Sequence, residues 1–161
     1  MVATSNPPAS EEPARDAVEA LREIYAELDA ALVALGGECR ACGRCCTFPP
    51  GSPVLYATLV ERWYLARTPP PPFPPRAAEA CPYMDPEART CGARERRTLG
   101  CRTHFCDVAM PSRSAREAAH KLNERALERL RDVVKDCGAA WDYAPVVPWL
   151  HELFGHGGSV D

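Results

Sequence analysis

Missing from this chain is any apolar stretch near the roughly 18 residues that a membrane-spanning helix needs. Its opening, MVATSNPPASEEPARD, also lacks the basic head and apolar middle of a secretory signal. Both absences predict a cytoplasmic protein with no membrane partner, held where stable disulfides are rare. Lysine is nearly absent, two against 17 arginines, and the net charge is −3. That sign gives no electrostatic hold on nucleic acid, so none is expected as a partner. Bulky apolar side chains are scarce too: hydrophobic residues make up 46% of the chain, but 25 are alanine and nine are cysteine. So thin a core often needs a staple, either a disulfide or a metal. The polar–apolar alternation of a strand is almost nowhere to be found. No Ser/His/Asp arrangement points to a hydrolase, and His120, His151 and His156 are scattered.

The residues present predict a mainly α fold, a small helical domain around an irregular, cysteine-rich metal-binding centre. Residues 1–12 are polar and broken by proline, the composition of a disordered leader. A single domain over 13–154 follows, with its motif core at 39–106, and then a flexible tail over 155–161. Val18, Leu21, Tyr25, Leu28, Leu32 and Leu35 recur at helical steps from Pro13 onward, and Gly36 and Gly37 end that helix. A second helix is expected from Ser52 as cap and Pro53 in the first turn, through VLYATLVERWYLAR. The run TPPPPFPP carries six prolines and reads as a stiff polyproline spacer; its other reading is a ligand for a proline-recognising domain. The last long helix is expected near Ser114, which has capping-box spacing to Glu117, and Gly138 closes it. Its apolar stripe includes Cys137, expected to be a small buried hydrophobe. Trp141, Tyr143, Trp149 and Phe154 are expected as core or lid packing.

Eight cysteines fall into two groups: Cys39, Cys42, Cys45 and Cys46 in CRACGRCC, then Cys81, Cys91, Cys101 and Cys106. In a reducing compartment, thiolates so close in sequence read as metal ligands. Two-residue gaps let a tight turn aim two sulfurs at one ion, and Gly43 suits that turn because it tolerates positive φ. Eight cysteines fit two four-sulfur zinc sites. Three cysteines at that spacing, with the remote Cys81 before Pro82, instead fit an iron–sulfur cubane. Adjacent Cys45 and Cys46 would serve two centres or bridge two metals. His104 is an alternative ligand, and Arg89, Arg94, Arg96, Arg97 and Arg102 would offset the charge of a thiolate site.

CRACGRCC, CPYM and RTLGCRTHFC together make the chain resemble the YkgJ-like cysteine-cluster family, the putative zinc- or iron-chelating domain, over roughly residues 39–106. Thr98 stands where that family usually has proline, and Ala93-Arg94 replaces its usual Ile-Tyr. The resemblance implies metal binding through all eight cysteines. Some relatives look like iron–sulfur-dependent lysine methylases, although no Gly-rich loop here suggests an adenosylmethionine site. The expected function is therefore a cytosolic protein holding a [4Fe–4S] cluster or Zn²⁺, serving redox or electron transfer. The alternatives are a zinc-stabilised, non-catalytic interaction module with a protein partner, and an iron–sulfur-dependent enzyme.

Overall fold

The computed structural model describes residues 13–39, 43, 46–72, 80–104 and 110–154. The expected leader and tail lie outside the described residues, as do Cys42, Cys45 and Cys106.

Two long helices, α1 (Arg15–Ala34) and α4 (Arg113–Asp136), form the main core. Ala17, Val18, Leu21, Ile24, Tyr25, Leu28 and Leu32 share the buried face of α1. Against them α4 sets Ala115, Ala119, Ala126, Leu130 and Val134, small residues at one end and branched ones at the other. Leu21 and Leu130 are wholly buried, and each such side chain stabilises the pair by about 1.5–3 kcal/mol. Arg129 and Glu27 clasp across the exposed rim. Gly36 ends α1 at φ +76°, the left-handed conformation that glycine adopts without steric cost.

The start of α4 lies two residues before the expected one. Ser112 is the N-cap, its hydroxyl accepting from Ala115 N–H at 3.1 Å. Glu117 pairs with Arg113 at 2.9 Å instead of closing a capping box with Ser114. The helix ends at Cys137, which is exposed at the C-cap and not buried as its place in the stripe suggested. The last turn of the helix, residues 135–137, is exposed.

The second helix departs further from expectation. Through Leu55 the chain stays non-helical, then forms a strand, β1 (Tyr56–Thr58), and only then α2 (Leu59–Ala66). Thr58 sets that boundary. Its hydroxyl accepts from Glu61 N–H at 3.3 Å, and the Glu61 carboxylate accepts from Thr58 N–H at 2.9 Å, a complete capping box. β1 pairs antiparallel with β2 (Tyr143–Pro145) in the register Tyr56↔Pro145, Ala57↔Ala144, Thr58↔Tyr143. Strands of three residues are too short to leave a readable alternation. The helix α5 (Val146–Phe154) follows β2 directly and tolerates Pro148 because it sits in the first turn.

A second apolar cluster gathers Ala57, Leu65, Tyr83, Ala93, Val146, Trp149 and Leu150. Trp149 is core, as expected, whereas Trp141 and Tyr143 are exposed. Between the clusters runs the second cysteine segment, with a 3-10 turn (Arg94–Arg96) and a short helix, α3 (Leu99–Thr103). No helix among the described residues is long and apolar enough to cross a membrane.

Candidate functional site

The cysteine-bearing loops meet. Gly43, at φ +70°, turns the first loop so that Cys46 N–H reaches the Gly43 carbonyl at 3.1 Å. A Cβ added to Gly43 would stand 3.2 Å from the Arg89 Cβ, so the turn lies directly on the second loop. Cys81 N–H then donates to the Cys46 carbonyl at 2.9 Å, a backbone tie between the two cysteine groups.

The second loop is a small hairpin. Met84 and Cys91 form an isolated antiparallel bridge, and Gly92 N–H donates to the Tyr83 carbonyl at 2.8 Å. Its tip closes on Asp85, whose Oδ1 accepts from Glu87 N–H at 2.8 Å and Ala88 N–H at 3.0 Å, an Asx-type turn. Tyr83 anchors the root. Its buried hydroxyl lies 2.6 Å from the Thr68 carbonyl, to which its single proton is donated, and 3.1 Å from that of Leu65. Burial pushes this phenol well above its usual range, with the neighbouring Cys81 and Cys91 acting in the same direction.

Electrostatic influence runs between the two cysteine groups, from Cys39 to Cys91, and within the second, from Cys91 to Cys101. Burial raises Cys91, while the Ala93 N–H and the Arg97 and Arg94 guanidinium groups pull it down; Cys39 pushes it up. Cys101 is pushed up to about 11, first by burial and further by Cys91, against the opposing pull of the Thr98 hydroxyl and Arg97. Of the expected cysteines, Cys39, Cys46, Cys81, Cys91 and Cys101 are all half-buried, and Cys137 stands apart at the end of α4. His104 is exposed beyond α3.

Of the arginines expected to balance the charge of a metal site, Arg97 and Arg94 act electrostatically on Cys91. Arg102 does something else. Its buried guanidinium stacks 4.0 Å over the Tyr25 ring, pairs with Asp29 and donates to the carbonyls of Arg97 and Glu95. It therefore bolts α3 to α1. Glu61, passed over in the sequence, is buried beside it. Its carboxylate accepts from Tyr25 OH at 3.2 Å, Leu99 N–H at 2.7 Å, and Thr58 N–H and hydroxyl at 2.9 and 3.0 Å. Burial raises its pKa, and those four donors work against the rise. The spacing Thr58-x-x-Glu61 was the available signal, a capping box that also ties three elements together.

Among the described residues, no group of three or more His, Cys, Asp or Glu side chains is placed to hold a metal ion. This overturns the expected zinc or iron–sulfur centre, and with it the metal as cofactor, as partner and as the middle of the fold. It equally overturns the zinc-stabilised module and the iron–sulfur enzyme. A physical reason is visible at Cys81 and Cys91, which pack against the second apolar cluster as small hydrophobes. No family model matches the chain, and neither a curated protein nor a solved structure matches it. The resemblance to the YkgJ-like family is corrected accordingly. What stands is a small, mainly helical domain with two cysteine-bearing loops laid against each other.

Proposed function

We propose that this chain is a cytosolic thiol switch, one domain over residues 13–154 whose facing cysteine loops answer an oxidant by forming a disulfide, with no metal involved. The observation that carries this reading is geometric: the two cysteine loops lie on each other at Gly43 and Arg89 and are tied backbone to backbone at Cys46 and Cys81, with Cys39 acting on Cys91 and Cys91 on Cys101. A hydroperoxide is the fitting oxidant. It converts one thiolate to a sulfenic acid; a neighbouring thiol then displaces water, and the peroxide has taken both electrons. The raised Cys91 and Cys101 stay protonated at neutral pH, so reaction is slow. A disulfide whose leaving thiols are poorly stabilised as thiolates also resists reduction. Such chemistry suits a latch that closes under sustained oxidation better than a rapid exchange catalyst.

The test uses reduced Cys137→Ser protein, challenged with hydrogen peroxide, alkylated and mapped by mass spectrometry. The expected product has lost two alkylatable thiols from the set Cys39, Cys81, Cys91 and Cys101, joined as one intrachain disulfide. Full alkylation after prolonged exposure to oxidant overturns the proposal, and so does conversion to unpaired sulfinic acids.

A further inference from the structure

On the outer side of the two-stranded ribbon, three aromatic rings stand in a row. Trp141 stacks on Tyr143 at 6.0 Å and 21° between planes, and Tyr143 stacks on Tyr56 at 5.6 Å and 30°. The Arg131 guanidinium caps the far end, 4.8 Å from the Trp141 ring centre. None of the three rings is buried: Trp141 is 37% exposed, Tyr143 43% and Tyr56 41%. Val54, two residues before Tyr56 and 59% exposed, extends the patch. Because the rings already hold one another in place, a ligand meeting them freezes little side-chain motion.

The chain also carries a ligand of matching chemistry. Consecutive prolines at 69–72 are confined to polyproline II geometry, three residues per turn with about 3.1 Å of rise each. Pro69 and Pro72, one turn apart, share an edge of that helix, and both are exposed, while Pro70 and Pro71 are half-buried. Pro71 lies against Gly92, where an added Cβ would meet its ring at 3.3 Å. Tyr83 grips the preceding Thr68 carbonyl. The run is thus fixed to its own body and turns its Pro69–Pro72 edge outward. That edge repeats at about 9.3 Å, shorter than a ladder whose two steps are 6.0 and 5.6 Å, so both prolines fall within its reach. Rings against prolines is the uncharged pairing by which polyproline segments dock on aromatic surfaces.

We infer that two copies of this chain recognise each other, the Pro69–Pro72 edge of one seating on the Trp141–Tyr143–Tyr56 ladder of its partner. Each copy carries both halves, so a pair related by a two-fold axis makes the contact twice and closes on itself.

Analytical ultracentrifugation of the full chain under reductant tests this, with circular dichroism as a check on folding. Wild type is expected to dimerise reversibly with concentration. Trp141→Ala/Tyr143→Ala and Pro69→Ser/Pro72→Ser should each weaken dimerisation at least tenfold. An equimolar mixture of the two variants regains one ladder–proline contact and should associate more tightly than either variant alone. A decaproline peptide should compete with the wild-type dimer. Wild type that stays monomeric overturns the inference, even if its ladder binds decaproline, because the partner is then another proline-bearing chain. Dimerisation untouched by both double variants overturns it as well.

Discussion

Cys101 carries the clearest consequence of burial in this chain. Its thiol is held up to about 11, against 9.0 for an unperturbed cysteine. Between those values the unfolded chain has lost the proton that the folded chain keeps. Stability attached to this thiol is therefore complete below pH 9 and is lost as pH rises toward 11. Urea midpoints measured from pH 8 to 11 should fall across that window, and Cys101→Ala should reduce the slope of the part that begins near 9, with Cys91, also raised by burial from 9.0, supplying the remainder. An unchanged slope in Cys101→Ala would assign the loss to Cys91 and to Tyr25 and Tyr83, which are raised from 10.0. The sequence placed Cys101 among the expected metal ligands on spacing and resemblance, and neither reports burial. Cys137 makes the same point in reverse, since its stripe position promised burial and the end of α4 delivers exposure.

Among the described α-helices the shortest, α3, is tied to several other elements. Leu99 N–H ties it to Glu61, the Thr103 hydroxyl donates to the Leu99 carbonyl at 2.8 Å and lies 3.1 Å from the Asn123 side chain of α4, and Arg102 bolts it to α1. Arg102→Ala leaves the Arg97 and Glu95 carbonyls without their donor and strips the Tyr25 ring of its cover. We expect a loss of about 2–3 kcal/mol in denaturant unfolding. Arg102→Lys should recover less than half of it, because an ammonium cannot reproduce the planar fork that reaches two carbonyls and a carboxylate together. Periodicity made α1 and α4 legible within about two residues, since a long amphipathic stripe averages over local noise. It failed at α2, where Ser52-Pro53 imitates a helix start but the Thr58–Glu61 box supplies the real one. The ribbon of β1 and β2 was invisible for a different reason. Its partners lie far apart in sequence, and three-residue strands leave no pattern of their own.

Taken together, the described residues form two apolar nuclei: α1 with α4, and the ribbon with α5, Leu65, Tyr83 and Ala93. Leu130 is wholly buried in the first. Leu130→Ala should cost about 2–5 kcal/mol, read as a lower melting temperature in a thermal scan. The expected helical content came through because alanine-rich amphipathic segments dictate it. The expected metal centre did not, because a cysteine count specifies neither where sulfurs point nor what they pack against. At Cys81 and Cys91 the neighbours are apolar side chains. A protein with two oily nuclei can surrender one and keep the other. The hairpin bearing Cys81 and Cys91 is rooted through Tyr83 in the smaller, so the guardianship of those sulfurs lapses with the ribbon, even while the long helices still embrace.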